Sequence, residues 1–223
     1  MGWGGTYMLS DGDRERLRVY LEQRMKGDVR LVFFTQEMEC AFCKETGQIA
    51  QLLSALSGKI KPEVYDFVKD AERAKEFQVD KIPALAPIGG KDFGIRFYGM
   101  PSGYEFMSLV DAIVDASAGT TNLTEKTKAI VRTIAQPVHI QVFVTPTCPY
   151  CPRAVRLAHQ LAVESDYVRA DMVESVEFPQ LAQRYSVMGV PKIVINERME
   201  FVGVLPEDHF VEHLLLAATG TAP

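Results

Sequence analysis

Basic residues are the minority charge in this sequence, 24 Lys and Arg against 29 Asp and Glu, for a formal net charge of -5. Without a cationic footprint, neither nucleic acid nor an anionic membrane is expected as the main partner. Long apolar runs are missing too. The longest, Leu31–Phe34 and Leu214–Ala218, fall far short of the ~18 residues of a membrane span. The first residues show no basic segment followed by an apolar block, so no secretory signal is read and a cytoplasmic location is expected. Gly2 and Thr6 formally fit a myristoylation acceptor, but Trp3 is out of place there and the match is read as chance. Only 4 histidines occur. His209 and His213 alone have a spacing that shares a helix face, and no third ligand stands beside them, so no metal role is expected for them. What remains is an ordinary globular composition of 223 residues, 47% apolar and 24% charged, enough for one large domain or two small ones.

Cysteine is scarce as well, but it is not scattered. All 4 cysteines fall in two C-x-x-C pairs, Cys40/Cys43 and Cys148/Cys151. In a reducing compartment such pairs are catalytic or metal-binding more often than structural. A pair this close in sequence closes a tiny loop, so it constrains the unfolded chain little and makes a poor staple.

The chain reads twice. Cys40 and Cys148 are 108 positions apart, and so are Ile82-Pro83 and Val190-Pro191. Downstream, Phe97-x-Gly99 is echoed by Phe201-x-Gly203, each followed by Pro and then Phe. The coarse elements repeat in step. The first half predicts a helix over Asp11–Lys26, a strand over Arg30–Thr35, and a helix opened by Cys-Ala-Phe-Cys and running to Leu56. A strand over Val64–Val68, a helix over Ala71–Phe77, strands over Ala84–Ile88 and Ile95–Tyr98, and a helix over Tyr104–Ala118 complete it. The second half predicts helix Leu123–Ala135, strand Val138–Val144, and a helix from Cys-Pro-Tyr-Cys to Val163. Strand Tyr167–Asp171, helix Phe178–Tyr185, strands Lys192–Ile195 and Glu200–Val204, and helix Glu207–Ala218 follow. The joint, Ala116–Lys126, is small and polar, with Asn122 and Glu125 at capping-box spacing. The expected fold is α/β: two tandem thioredoxin-fold units, 1–118 and 119–223, each a central mixed β-sheet flanked by helices, with C-x-x-C at the first strand-to-helix turn.

That placement has a chemical reason. The nucleophile of thiol–disulfide exchange is the thiolate, and an unperturbed cysteine at pKa about 8.5 is mostly thiol at neutral pH. A helix start offers unpaired N–H groups and the positive end of the macrodipole, both of which stabilise a thiolate. Two intervening residues set the second sulfur one turn on, where it can resolve a mixed disulfide. Pro149 and Pro152 fit a first turn, where a missing N–H costs no ladder bond. Cys148 and Cys40 are therefore read as attacking thiols, Cys151 and Cys43 as resolving ones. Val190-Pro191 and Ile82-Pro83 are candidate cis peptides whose preceding residues could pair with an extended substrate beside the sulfur. Tyr150 and Phe42, between the cysteines, are expected to be exposed and to touch substrate. Arg153 and Arg156 follow the second pair, whereas Glu37, Glu39 and Glu45 surround the first against Lys44, so Cys148 is expected to have the lower pKa and the more oxidising disulfide.

Two rivals remain. Four cysteines can hold tetrahedral zinc, but zinc pairs usually stand about 15–20 residues apart, and 104 residues separate Cys43 from Cys148. A tandem unit of this kind could instead deliver electrons to a peroxidase.

Cys-Pro-Tyr-Cys, with Gly-Val-Pro placing Pro191 43 residues after Cys148, resembles glutaredoxin. Two such units in one chain of this size resemble the protein disulfide oxidoreductases of thermophilic archaea and bacteria, also described as glutaredoxin-like or protein disulfide isomerase-like. The resemblance implies reduction, oxidation and isomerisation of protein disulfides through Cys40/Cys43 with Pro83 and Cys148/Cys151 with Pro191. It implies no bound cofactor beyond the redox-active disulfides, with electrons from an NADPH-dependent flavoprotein resembling thioredoxin reductase. Protein substrates carrying disulfides or dithiols, and a peroxiredoxin, are the other partners it suggests. The sequence also departs from its relatives. Thioredoxins carry a buried acid six residues before the first cysteine, where this chain has Phe34 and Val142, and Glu37 or Glu39 is the available substitute in the first unit. Glu207 and Asp208 read as first-turn acids of a helix rather than as a glutathione grip.

Overall fold

The computed structural model describes residues 9–219; Gly2, Trp3 and Thr6 lie outside them. The elements run α1 (Asp11–Arg24), β1 (Val29–Thr35), α2 (Cys43–Leu56), β2 (Ile60–Asp66), α3 (Ala71–Glu76), β3 (Ala84–Ile88), β4 (Ile95–Tyr98) and α4 (Glu105–Ala118). They continue as α5 (Glu125–Val131), β5 (Val138–Val144), α6 (Cys151–Glu164), β6 (Val168–Glu174), α7 (Pro179–Arg184), β7 (Lys192–Ile195), β8 (Met199–Val202) and α8 (Glu207–Thr219). The order matches the sequence reading element for element.

The eight strands form one sheet in the order β2-β1-β3-β4-β6-β5-β7-β8. Each half contributes four strands with the same pairing: first with second parallel, first with third antiparallel, third with fourth antiparallel. The halves join where β4 pairs with β6 in parallel, Ile95 opposite Ala170 through Tyr98 opposite Val173. The strand patterns follow their places. β3, β4 and β7 are buried throughout, and β1 and β5 nearly so, because helices cover both faces. The edge strands β2 and β8 mix buried and exposed residues. One face carries α1, α2, α4, α6 and α8 over a large apolar core that runs through both halves. The other carries a smaller core under α3 and α7, built from residues such as Val32, Phe34, Phe77, Phe143 and Phe178.

The repeat persists in backbone detail. Gln78 and Ser186, 108 positions apart, both take left-handed φ, 52° and 48°. Just after each, the Val79 N–H donates to Ala74 O and the Val187 N–H to Ala182 O. The Gly99 N–H donates to Pro83 O, and the Gly203 N–H to Pro191 O.

Three expectations shift. The first half's second parallel strand is Ile60–Asp66, not Val64–Val68: it aligns residue by residue with β1, and as an edge strand it tolerates Pro62 opposite Leu31. α5 is shorter than predicted at both ends. Its cap is Thr124, whose hydroxyl accepts from Thr127 N, while the Asn122 side chain accepts from Gln160 of α6. Glu207 does lie in the first turn of α8, and its carboxylate reaches across to accept from Thr124 N and Oγ1.

Candidate active site

Both C-x-x-C pairs emerge from the same edge of the sheet. β1 and β5 run in one direction and end at Thr35 and Val144, and the loops that follow deliver Cys40 and Cys148. α2 starts at Cys43 and α6 at Cys151, so the second cysteine of each pair is the first helical residue and the first cysteine stands just ahead of the helix. Helix formation begins there in α6 because Pro152 suits the first turn, where the N–H has no intrahelical partner. Each pair is joined as a disulfide with Cα atoms 5.5 Å apart. The resolving positions Cys43 and Cys151 are buried; Cys148 is 8% exposed and Cys40 half-buried.

The backbone around Cys148 is aimed at sulfur. The Cys151 N–H donates to Cys148 Sγ at 3.2 Å, and the Val190 carbonyl oxygen lies 3.7 Å from the same sulfur. Ile82-Pro83 and Val190-Pro191 are both cis, and each proline carbonyl is held by a glycine N–H from the next strand's end. Tyr150 caps α6 and is 63% exposed; Phe42 caps α2 and is 36% exposed. Other large apolar side chains are exposed on loops and helix starts of this edge: Met38, Tyr104, Met107, Val176 and Met188.

Charge departs from the sequence reading in two ways. Arg156 is engaged by Asp111 and Asp115 of α4, which leaves the exposed Arg153 as the cation near Cys148. Glu37 and Glu39 are exposed in their loop and do not stand in for a buried acid. Buried acids are present elsewhere, Glu105 at the start of α4 and Glu174 at the end of β6, with the half-buried Glu177 just beyond it. Sequence reasoning missed them, although Glu105 heads the largely apolar helix of α4, where an acid on the core-facing stripe is itself a signal.

From β1 to β5 the sheet takes four strand steps, so the two pairs stand about 19 Å apart. Four cysteines divided in this way cannot share one tetrahedral ion, which removes the zinc alternative. Among the described residues, no group of three or more His, Cys, Asp or Glu is placed to hold a metal ion, and no helix is long and apolar enough to cross a membrane.

The thioredoxin domain family matches residues 138–216. A thioredoxin of Methanocaldococcus jannaschii is 41% identical over 76 residues, 34% of this chain and 89% of that protein. The F component of the alkyl hydroperoxide reductase of Staphylococcus aureus is 24% identical over 189 residues, 85% of this chain. This chain spans only 34% of that component's length, and the same share of the first curated relative it matches. Among solved structures, a protein disulfide oxidoreductase from Aeropyrum pernix superposes with a TM-score of 0.90 and 33% identity over 98% of both chains. With two thioredoxin-type halves, two C-x-x-C disulfides on one sheet edge and this full-length likeness, the chain belongs to the protein disulfide oxidoreductase family.

Proposed function

We propose that the protein exchanges dithiols and disulfides with protein clients through two sites, Cys148/Cys151 and Cys40/Cys43, one in each of the units 1–118 and 119–223. One observation carries this reading: each pair sits at a helix start beside an X-Pro turn, on the same edge as a series of exposed apolar side chains. In each site the outer cysteine attacks and the buried one resolves. The backbone of Val190 and Ile82, next to Pro191 and Pro83, pairs with an extended client segment, and Tyr150 and Phe42 pack on it. Electrons come from a flavoprotein of the thioredoxin reductase type that oxidises NADPH, and the reaction is cytoplasmic. The test is insulin reduction by the full chain and by its Cys148→Ser and Cys40→Ser variants. Turnover unchanged in both variants would end this reading.

The likeness to the F component of an alkyl hydroperoxide reductase over 85% of this chain favours a second reading, electron delivery to a peroxiredoxin. Peroxide consumption with a peroxiredoxin, a flavoprotein reductase and this protein separates the two. A rate independent of this protein rejects delivery.

A further inference from the structure

Each X-Pro loop begins at a strained turn. Gln78 and Ser186 take left-handed φ, 52° and 48°. Residues other than glycine stay in that region only where their surroundings hold them there. Five residues on, the loops end at Pro83 and Pro191.

What holds the two turns differs. In the second half it is Lys192, the first residue of β7, next to Pro191 and 4% exposed. Its ammonium donates to the Tyr185 carbonyl and, at 3.5 Å, to the Ser186 carbonyl, and it pairs with Glu200. The loop is closed from within its own half, and at its far end the Val190 carbonyl stands 3.7 Å from Cys148 Sγ.

The first half has Ala84 where the second has Lys192, 108 positions on, so it has no cation to offer there. Two arginines hold its turn instead. Arg96 of β4 donates to the Phe77 carbonyl through Nε and Nη2, at 2.9 and 2.6 Å, and pairs with Asp92. Arg169 of β6 comes from the other half. Its Nη1 donates to Gln78 O at 2.7 Å and to Gln78 Oε1 at 3.2 Å, and its Nη2 to the Tyr98 hydroxyl at 2.7 Å. Its Nε and Nη2 hold the two oxygens of Asp171, at 2.9 and 3.2 Å. All five guanidinium N–H groups are thereby used, three of them on the first half.

The anchor is firm. Asp171 is fully buried and also bonds His139 Nε2 at 2.6 Å. Burial works against its carboxylate, but the bonds from His139 and Arg169 win and keep it ionised. Tyr98 carries the hold along the loop. Its hydroxyl donates to Gln78 O at 3.4 Å, and the Lys81 ammonium lies 3.7 Å from the centre of its ring. Lys81, which also pairs with Asp80, directly precedes Ile82-Pro83. The residue after Tyr98, Gly99, gives its N–H to Pro83 O at 2.9 Å. Start, middle and end of the loop thus rest on Tyr98 and Gly99, and Arg169 fixes the hydroxyl of Tyr98. Lys61, the counterpart of Arg169, lies on the edge strand and bonds Gly58 O. The loan runs one way.

We propose that Arg169 is a positioning residue for the first site, lent by the second half, and that Lys192 does the same work for the second site from within its own half. The assignment rests on the dithiol–disulfide reading above, in which Ile82 and Val190 present their backbone to a client. A loosened loop then costs client affinity rather than chemistry at sulfur.

The experiment uses the full chain with one site disabled, Cys148→Ser/Cys151→Ser or Cys40→Ser/Cys43→Ser, reducing insulin with dithiothreitol as electron source. With the first site intact, Arg169→Gln is expected to raise KM about tenfold while kcat moves less than about twofold. With the second site intact, it is expected to change neither. A general weakening of the fold would strike the second half, where Arg169 resides. A rise in KM at the second site as large as at the first therefore overturns the proposal, and so does no change at either. Tyr98→Phe keeps the ring under Lys81 and removes only the hydroxyl, so it serves should Arg169→Gln fail to fold. A rise of about threefold at the first site alone is expected, and none overturns the proposal. Lys192→Met is expected to raise KM only at the second site, and Lys192→Arg, which keeps a cation on Tyr185 O, to restore it. Equal loss from both overturns the part assigned to Lys192.

Amide hydrogen exchange of the oxidised chain reads the loops without turnover. Arg169→Gln is expected to speed exchange at the Val79 and Gly99 N–H groups about tenfold and to leave Val187 and Gly203 as they were. Unchanged rates at Val79 and Gly99 overturn the proposal even where turnover is lost. Absence of insulin reduction by both one-site chains before further substitution overturns the oxidoreductase reading and this proposal together.

Discussion

The two C-x-x-C sites share a scaffold and differ in what surrounds it. Strand order recurs, the X-Pro turn and the left-handed residue recur 108 positions apart, and a glycine N–H clasps each proline carbonyl. The setting of the sulfur does not. Cys148 is nearly sealed, accepts the Cys151 N–H, and precedes a helix with no acid in its first turn. Cys40 is half-buried in a loop with Glu37 and Glu39, ahead of a helix whose first turn holds Glu45. Backbone geometry tolerates little variation, so both copies keep it. Charge beside the sulfur is free to diverge, and its divergence is expected to give one chain two thiols of unlike reactivity.

The sharpest test of that contrast is activity. Cys148→Ser is expected to lower insulin reduction about a hundredfold, and Cys40→Ser no more than about threefold. Equal losses would erase the distinction. Next is a pair of equivalent glycines, Gly99 (φ 88°) and Gly203 (φ 98°). Alanine is strained at both, but at Gly203 its Cβ meets nothing within 4 Å, whereas at Gly99 it meets Glu174 and Glu177. Gly203→Ala is expected to cost about 1–2 kcal/mol and Gly99→Ala about 3 kcal/mol or more, read from denaturation midpoints. A smaller cost for Gly99→Ala would mean that the seam yields.

Iodoacetamide alkylation against pH, with the partner site converted to serine, should place the Cys148 thiolate at least about one pH unit below that of Cys40. The reverse order would show that the acids of the first loop do not govern its sulfur. The smallest effect lies at the joint. Glu164, where the first half has Leu56, accepts from Thr120 Oγ1, from Thr121 N and Oγ1, and from Arg132. Burial works against its carboxylate, but the bonds from Thr121, Thr120 and Arg132 win and hold its pKa below 4.5. The stability it lends is present above that value and is lost as pH falls through the depressed one. Glu164→Ala should therefore cost about 1–3 kcal/mol at pH 7, and the gap should close towards pH 3. A gap independent of pH would reject the clamp.

Much of this was legible in the residues. Runs such as Arg30–Thr35, Val138–Val144 and Lys192–Ile195 are apolar because their strands are covered on both faces, and each was placed within a residue. The cysteines and prolines announced themselves by their repeat. The edge strand did not, because Lys61, Pro62 and Glu63 look like a loop until β1 aligns them. Asn122 looked like a cap because capping chemistry is local, whereas its partner Gln160 is remote. The buried acids were out of reach for the same reason: Glu105 is sealed by tertiary packing that includes α4 lying on α6, which no local pattern encodes.

The parallel pairing of β4 with β6 turns two folds into one slab. A hinged pair of domains could close its two disulfides on clients of any shape. Here the gap is a ruler. A single client strand engaging both sites must span about 19 Å, which takes about six extended residues. Cysteines closer together than that are handled one site at a time, and handover between the sites falls to the client's own chain.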